Sequence, residues 1–165
     1  SPTRIQFESG NEPYRVSMTH IDTDCEVAGT GALGQLLDTA GCTQVLRASM
    51  TAPYGSYQVT AGIFNLVDAG AAKRVAGQVH ALVETGEGSF ASMAAGAAPG
   101  QDPRDRPDSY VFWHERGHYL LYCVISRPDG LRVAADDPYA RRITTDLLDT
   151  YLGEEILGVR ERQAG

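Results

Sequence analysis

With 165 residues, 42 % of them hydrophobic and 21 % charged, the chain has the length and composition of one globular domain, residues 1–165, able to bury a sizeable core. A formal charge of -7 excludes a phosphate-backbone binder, which needs a basic excess to displace counterions, and attachment by charge to anionic membranes. No apolar run reaches the roughly eighteen residues of a spanning helix, so neither nucleic acid as a partner nor membrane insertion by this segment is expected. The chain starts Ser1-Pro2, not with methionine, which fits removal of an amino-terminal signal or anchor.

Residues 1–13 are polar and irregular, with Ile5 and Phe7 as apolar anchors, and read as an arm. Residues 15–21 alternate Val16 and Met18 with Ser17 and Thr19, which predicts a short strand. It runs into His20-Ile21-Asp22-Thr23-Asp24-Cys25-Glu26, where one imidazole and three carboxylates crowd together. The spacing lacks the central glycine and terminal glutamate of an EF-hand loop, so a solvated acidic loop is the expectation. Residues 31–40 predict a helix: Leu33, Leu36, Leu37 and Ala40 fall at i, i+3, i+4 and i+7, Thr30 stands ready as N-cap, and Gly41 suits the left-handed stop.

Cys25 and Cys42 flank that helix. A disulfide between them would remove about 3 kcal/mol of unfolded-chain entropy and belongs to an oxidising compartment; two buried thiols are the alternative.

Residues 43–50 and 57–67 read as strands joined by a loop containing Pro53 and Gly55. The second puts Tyr57, Val59, Ala61 and Ile63 on a covered face and Gln58, Thr60 and Gly62 on a face expected to be partly wet. Asp68 caps a second predicted helix whose stripe is Ala72, Val75, Ala76, Val79, Leu82 and Val83, with His80 off the stripe at the surface. Residues 85–108, rich in Gly, Ala, Ser and Pro, predict a long flexible loop in which Phe90 and Met93 are the anchors.

Residues 109–126 are the most apolar and aromatic passage, and they contain His114-Glu115-Arg116-Gly117-His118, an HExxH. On a helix the two imidazoles would share one face and hold zinc, with Glu115 as general base to a metal-bound water. On two strands, a three-residue loop Glu115-Arg116-Gly117 would turn a hairpin and leave His114 and His118 as a cross-strand pair. The aromatic and β-branched flanks, apolar on both alternating faces, favour the hairpin, with Cys123 as a small buried hydrophobe. Arg116 stands where zincins carry an uncharged residue. No third ligand follows at a known spacing, since Glu154 and Glu155 belong to no ExxxD.

Arg127-Pro128-Asp129-Gly130 predicts a turn and residues 131–133 a brief returning strand. Asp137-Pro138 starts a terminal helix with Tyr139, Ile143, Leu147 and Tyr151 along its ridge and Leu148 and Leu152 beside it; Gly153 ends or weakens it, and the tail from Arg160 is polar. The fold class expected is therefore α+β: an antiparallel sheet of four or five strands with helices packed on one face, built as two helix-strand-strand units, 31–67 and 68–126, plus a C-terminal helix.

The passages Gly41-Cys42-Thr43-Gln44-Val45-Leu46-Arg47-Ala48, Val59-Thr60-Ala61-Gly62-Ile63-Phe64-Asn65-Leu66 and Gly117-His118-Tyr119-Leu120-Leu121-Tyr122 resemble those of uncharacterised membrane-anchored extracytoplasmic domains of GC-rich Gram-positive bacteria. Lys73 as the sole lysine among 14 basic residues fits that coding bias. The resemblance implies a cell-surface location and an architecture, and it brings no catalytic residues with it.

The function expected is a non-catalytic extracytoplasmic domain that recognises or senses a protein or cell-envelope ligand through its sheet face or the 85–108 loop. No catalytic residue, cofactor or metal is assigned in that reading. The alternative is a zinc hydrolase with His114 and His118 as ligands and Glu115 as base; a third reading makes the two histidines a pH-responsive pair. The apolar faces of the hairpin are compatible with a homodimer.

Overall fold

The computed structural model describes residues 4–5, 13–93 and 108–148. Its centre is an antiparallel sheet of five strands, β2 (Tyr14–Asp22), β4 (Gln44–Thr51), β5 (Gln58–Asn65), β8 (Tyr119–Ser126) and β7 (Tyr110–Arg116) in that spatial order, extended at the β2 edge by the two-residue β1 (Arg4–Ile5). A separate small ribbon pairs β3 (Gly29–Gly31) with β6 (Gly88–Phe90). The α+β class, the antiparallel sheet and the C-terminal helix are as the sequence predicts.

Helices α1 (Ala32–Thr39) and α2 (Ala69–Thr85) each precede a hairpin, β4-β5 and β7-β8, and the second strands of the two hairpins meet at the middle of the sheet. On β8 the alternation of side chains separates two cores. Leu120, Tyr122 and Val124 pack with Leu33, Leu37, Val75 and Val79 of the first two helices. Leu121, Cys123 and Ile125 pack with Ala140, Ile143, Leu147 and Leu148 from α3 (Pro138–Thr144) and the π turn that continues it over residues 145–148. The helix-strand-strand units thus place their helices on one face, and α3 takes the other. Because β8 is covered on both sides inside the chain, its apolar faces need no second copy to bury them.

Local signals explain most boundaries. Asp68 accepts the Ala71 N–H at 2.7 Å to start α2, and Gly86, at φ 75°, ends it in the left-handed conformation. Gly41, also at φ 75°, follows α1, with its N–H bonded to the Asp38 carbonyl. Thr30 is not the N-cap of α1: it lies in β3, where its hydroxyl exchanges hydrogen bonds with the Ser89 backbone, and Gly31 takes the cap position without a side-chain bond. The predicted strand at 131–133 is absent. Val133 is buried and donates its N–H to the Asp108 carbonyl, which fastens the segment by one bond and no ladder.

The expected loop 85–108 begins with order, since Thr85 is still helical and 88–90 form β6. Residues 94–107 of that loop lie outside the described residues, as do Phe7, Tyr151, Leu152, Gly153 and the tail from Arg160.

Tyrosines join α3 and its neighbours to the sheet. The Tyr14 hydroxyl donates to Asp146 at 2.8 Å, Tyr54 donates to the same oxygen at 3.3 Å, and Tyr57 donates to the cap residue Asp137 at 2.7 Å. Arg142 sits 4.7 Å from the Tyr54 ring centroid, a cation over a π face.

Candidate functional site

The HExxH lies on a hairpin. Arg116 pairs with Tyr119, so Gly117 and His118 form a two-residue loop, not the three-residue loop 115–117 expected from the sequence. Gly117 has φ 58° while His118 does not have a positive φ, the pattern of a type II′ turn, which takes glycine at its first central position. His114 stands opposite Leu121 and is exposed; Glu115 stands opposite Leu120 on the other face; His118 is in the turn, its ring 4.0 Å from that of Tyr119 and its carbonyl accepting the Leu66 N–H. The shared helical face that zinc binding by His114 and His118 requires is not formed. Nor are these histidines the cross-strand pair on which the pH-responsive reading depended. Among the described residues no group of three His, Cys, Asp or Glu side chains converges.

Cys25 and Cys42 are joined in a disulfide that ties the short 3-10 turn Cys25–Ala28 to the end of α1. The acidic stretch before it is spent on local backbone bonds: Asp22 accepts from Asp24 N–H at 2.9 Å and Asp24 from Glu26 N–H at 3.1 Å. It reads as a capped turn, with His20 and Asp22 3.9 Å apart beside it.

A third set of residues, missed in the sequence, crosses the sheet. His20, Arg47, Gly62, Tyr122 and Trp113 are register partners on five successive strands, so they share one face, that of α1 and α2. Arg47 is 9 % exposed and Tyr122 not at all. Gly62, between them, carries no side chain; a Cβ there would stand 2.6 Å from Tyr122 Cε1 and 3.2 Å from Arg47 Cγ. The guanidinium stem and the phenol ring thus lean toward each other over the glycine.

Three buried side-chain polar atoms have no hydrogen-bond partner among the described residues, and two of them are here: Arg47 Nε and the Tyr122 hydroxyl. No ion pair to Arg47 is formed among the described residues. Burial pushes the Tyr122 phenol pKa well above its ordinary range, against the opposing pull of the Arg47 charge, so the hydroxyl keeps its proton. Its ring is held by stacking on Phe64 and Phe90, with centroids 5.1 and 4.7 Å away.

Two residues along, on the same face, Ser49 and Thr60 are also buried, and Thr60 accepts the Met93 N–H at 2.9 Å. At the far end of the row the Trp113 indole N–H donates to the Ala76 carbonyl of α2 at 2.9 Å. Two sequence signals point here in hindsight: an arginine in the middle of a strand, and a glycine at the middle of the next one, which marks close approach of other groups.

Comparison of the chain with protein-family models, with curated proteins and with solved structures finds no match.

Proposed function

We propose that this chain is a non-catalytic recognition domain that works outside the cytoplasm, anchored to the membrane at the cell surface by sequence beyond it. The observation that carries the reading is the reversal of the chain at Gly117-His118. It sends His114 and His118 to different settings on a hairpin and removes the geometry by which an HExxH activates water. The Cys25–Cys42 bond supports the compartment, because such bonds persist where thiols are not kept reduced.

Two measurements test the proposal. Protein purified without added metal should hold no stoichiometric zinc, and in its native cells the domain should react with membrane-impermeant reagents while Cys25 and Cys42 remain oxidised. Zinc bound one to one and lost in His118→Ala, or a cytoplasmic protein with both cysteines reduced, contradicts it.

A further inference from the structure

Arg47 Nε and the Tyr122 hydroxyl, on the two strands that flank Gly62, are both buried and have no hydrogen-bond partner among the described residues. A buried guanidinium N–H and a buried hydroxyl that bond to nothing each lose their hydrogen bonds to water without replacement, so the folded chain is less stable for carrying them. Folds retain such a pair where something else completes it, and here the arrangement is held in place. Gly62 makes room for both groups, the Phe64 and Phe90 rings fix the phenol, and the β4-β5-β8 ladder sets the spacing.

We propose that Arg47 and Tyr122 form a binding site for the carboxylate of a small organic acid. One carboxylate oxygen accepts the Arg47 Nε–H, the other an Nη–H of the same planar fork, and the Tyr122 O–H adds a third donor. Guanidinium matches carboxylate in two parallel bonds, and both groups being fixed before binding lowers the entropic cost.

Charge selects carboxylate over phosphate. One cation stands in the row between an exposed imidazole and an indole, within a chain of net charge -7, so a single negative charge is matched and a second is not. Arg47 is 9 % exposed while its Nε and the Tyr122 hydroxyl are buried, so a carboxylate arrives at the Nη end of the guanidinium and must enter from there to reach the two buried donors. The proposal deepens the recognition reading and rests on it, yet its test is independent of compartment: carboxylate binding can fail while surface location stands, and the reverse.

The experiment uses the whole chain, with thermal unfolding and calorimetric titration against sodium acetate, sodium benzoate and inorganic phosphate at ionic strength held constant with chloride. Acetate or benzoate should raise the unfolding temperature saturably, phosphate no more than chloride does. Arg47→Met should abolish the rise. Tyr122→Phe should weaken carboxylate binding about ten-fold and leave the ligand-free protein at least as stable as wild type, because the oxygen it removes has no partner to lose.

If Arg47→Met does not fold, Tyr122→Phe decides alone. No saturable effect of either carboxylate, an effect that survives Arg47→Met, or phosphate acting as strongly as benzoate overturns the proposal. So does a Tyr122→Phe protein less stable than wild type without ligand, since that would give the hydroxyl a partner within the chain.

Discussion

Tyr14, at the start of β2, and Asp146, in the turn that extends α3, are hydrogen bonded at 2.8 Å across 132 residues of chain. Both are buried, and burial together with the carboxylate pushes the phenol pKa far above its ordinary range, so Tyr14 remains a donor at every working pH. The bond closes the sheet onto the C-terminal helix, which the two ends of the described chain share. Tyr14→Phe should cost about 2 kcal/mol in urea unfolding, the range for a bond to a charged acceptor. Tyr54→Phe, which removes the longer 3.3 Å bond to the same oxygen, should cost less. Equal losses would mean that distance is not what ranks the two bonds.

The disulfide makes a second prediction, in which the unfolded state carries the effect. Cys25 and Cys42 are 17 residues apart, and loop closure of that length is worth about 3 kcal/mol. Reduction, or Cys25→Ala with Cys42→Ala, should lower the urea midpoint accordingly. Cys123 should take no part: it is fully buried against α3, and burial pushes its thiol up to about 12. A thiol reagent should therefore find no reactive cysteine in the native protein and one in the unfolded oxidised protein. Fast labelling of the native chain would contradict both the bond and the burial of Cys123.

How much of this was legible can be judged residue by residue. The stripe Ala72, Val75, Val79 and the cap Asp68 read correctly because they are local: periodicity and one side-chain bond decide them. Gly117 read correctly as a turn residue, but the loop length did not. A three-residue loop and a two-residue type II′ loop both put a left-handed glycine at 117. What separates them is the pairing of β8 with β5, which fixes which β8 side chains face which core. The β3-β6 ribbon was invisible because it is made of Gly29–Gly31 and Gly88–Phe90, short and glycine-rich, brought together from distant parts of the sequence.

Thr60 and Gly62 were expected on a partly wet face. Thr60 is 1 % exposed because the strand is central and the segment through Ser92 and Met93 folds over it. The buried row containing Arg47 depends on the same long-range pairings: Arg47 and Gly62 are each unusual within their strands, but only the register brings them beside Tyr122.

Two glycines should respond to alanine for opposite reasons. Gly117 has φ 58° with nothing within 4 Å of where a Cβ would be, so Gly117→Ala costs only the left-handed backbone, about 1–2 kcal/mol. Gly62 is not in the left-handed region, yet its added Cβ would press on Tyr122 Cε1 and on the Leu46 carbonyl at 2.8 Å, so Gly62→Ala costs overpacking, about 1–3 kcal/mol. The separating measurement is a D-alanine at each site by chemical ligation: it should restore stability at 117 and leave 62 no better. A D-residue that fails to rescue 117 would show that the turn does not need a positive φ.

Asp137 supplies a prediction with a definite pH sense. Burial alone would raise its carboxyl, but the Tyr57 hydroxyl and the N–H groups of Ala140 and Tyr139 outweigh burial and hold the pKa below the ordinary value of 3.8. A carboxyl depressed in the folded state contributes stability that is fully present above its unfolded pKa and is lost as pH falls through the folded value. Asp137→Ala should thus cost about 1 kcal/mol at neutral pH through the lost N-cap, and the difference from wild type should shrink below pH 3.8. Asp137→Asn, which keeps a capping oxygen but no charge, should lose less and show no such titration. In Tyr57→Phe the carboxyl, followed by carbon NMR, should titrate at higher pH than in wild type. An unchanged titration there would mean that the backbone donors of α3 alone set the carboxyl, and that the 2.7 Å bond from β5's neighbour does not hold the helix start to the sheet.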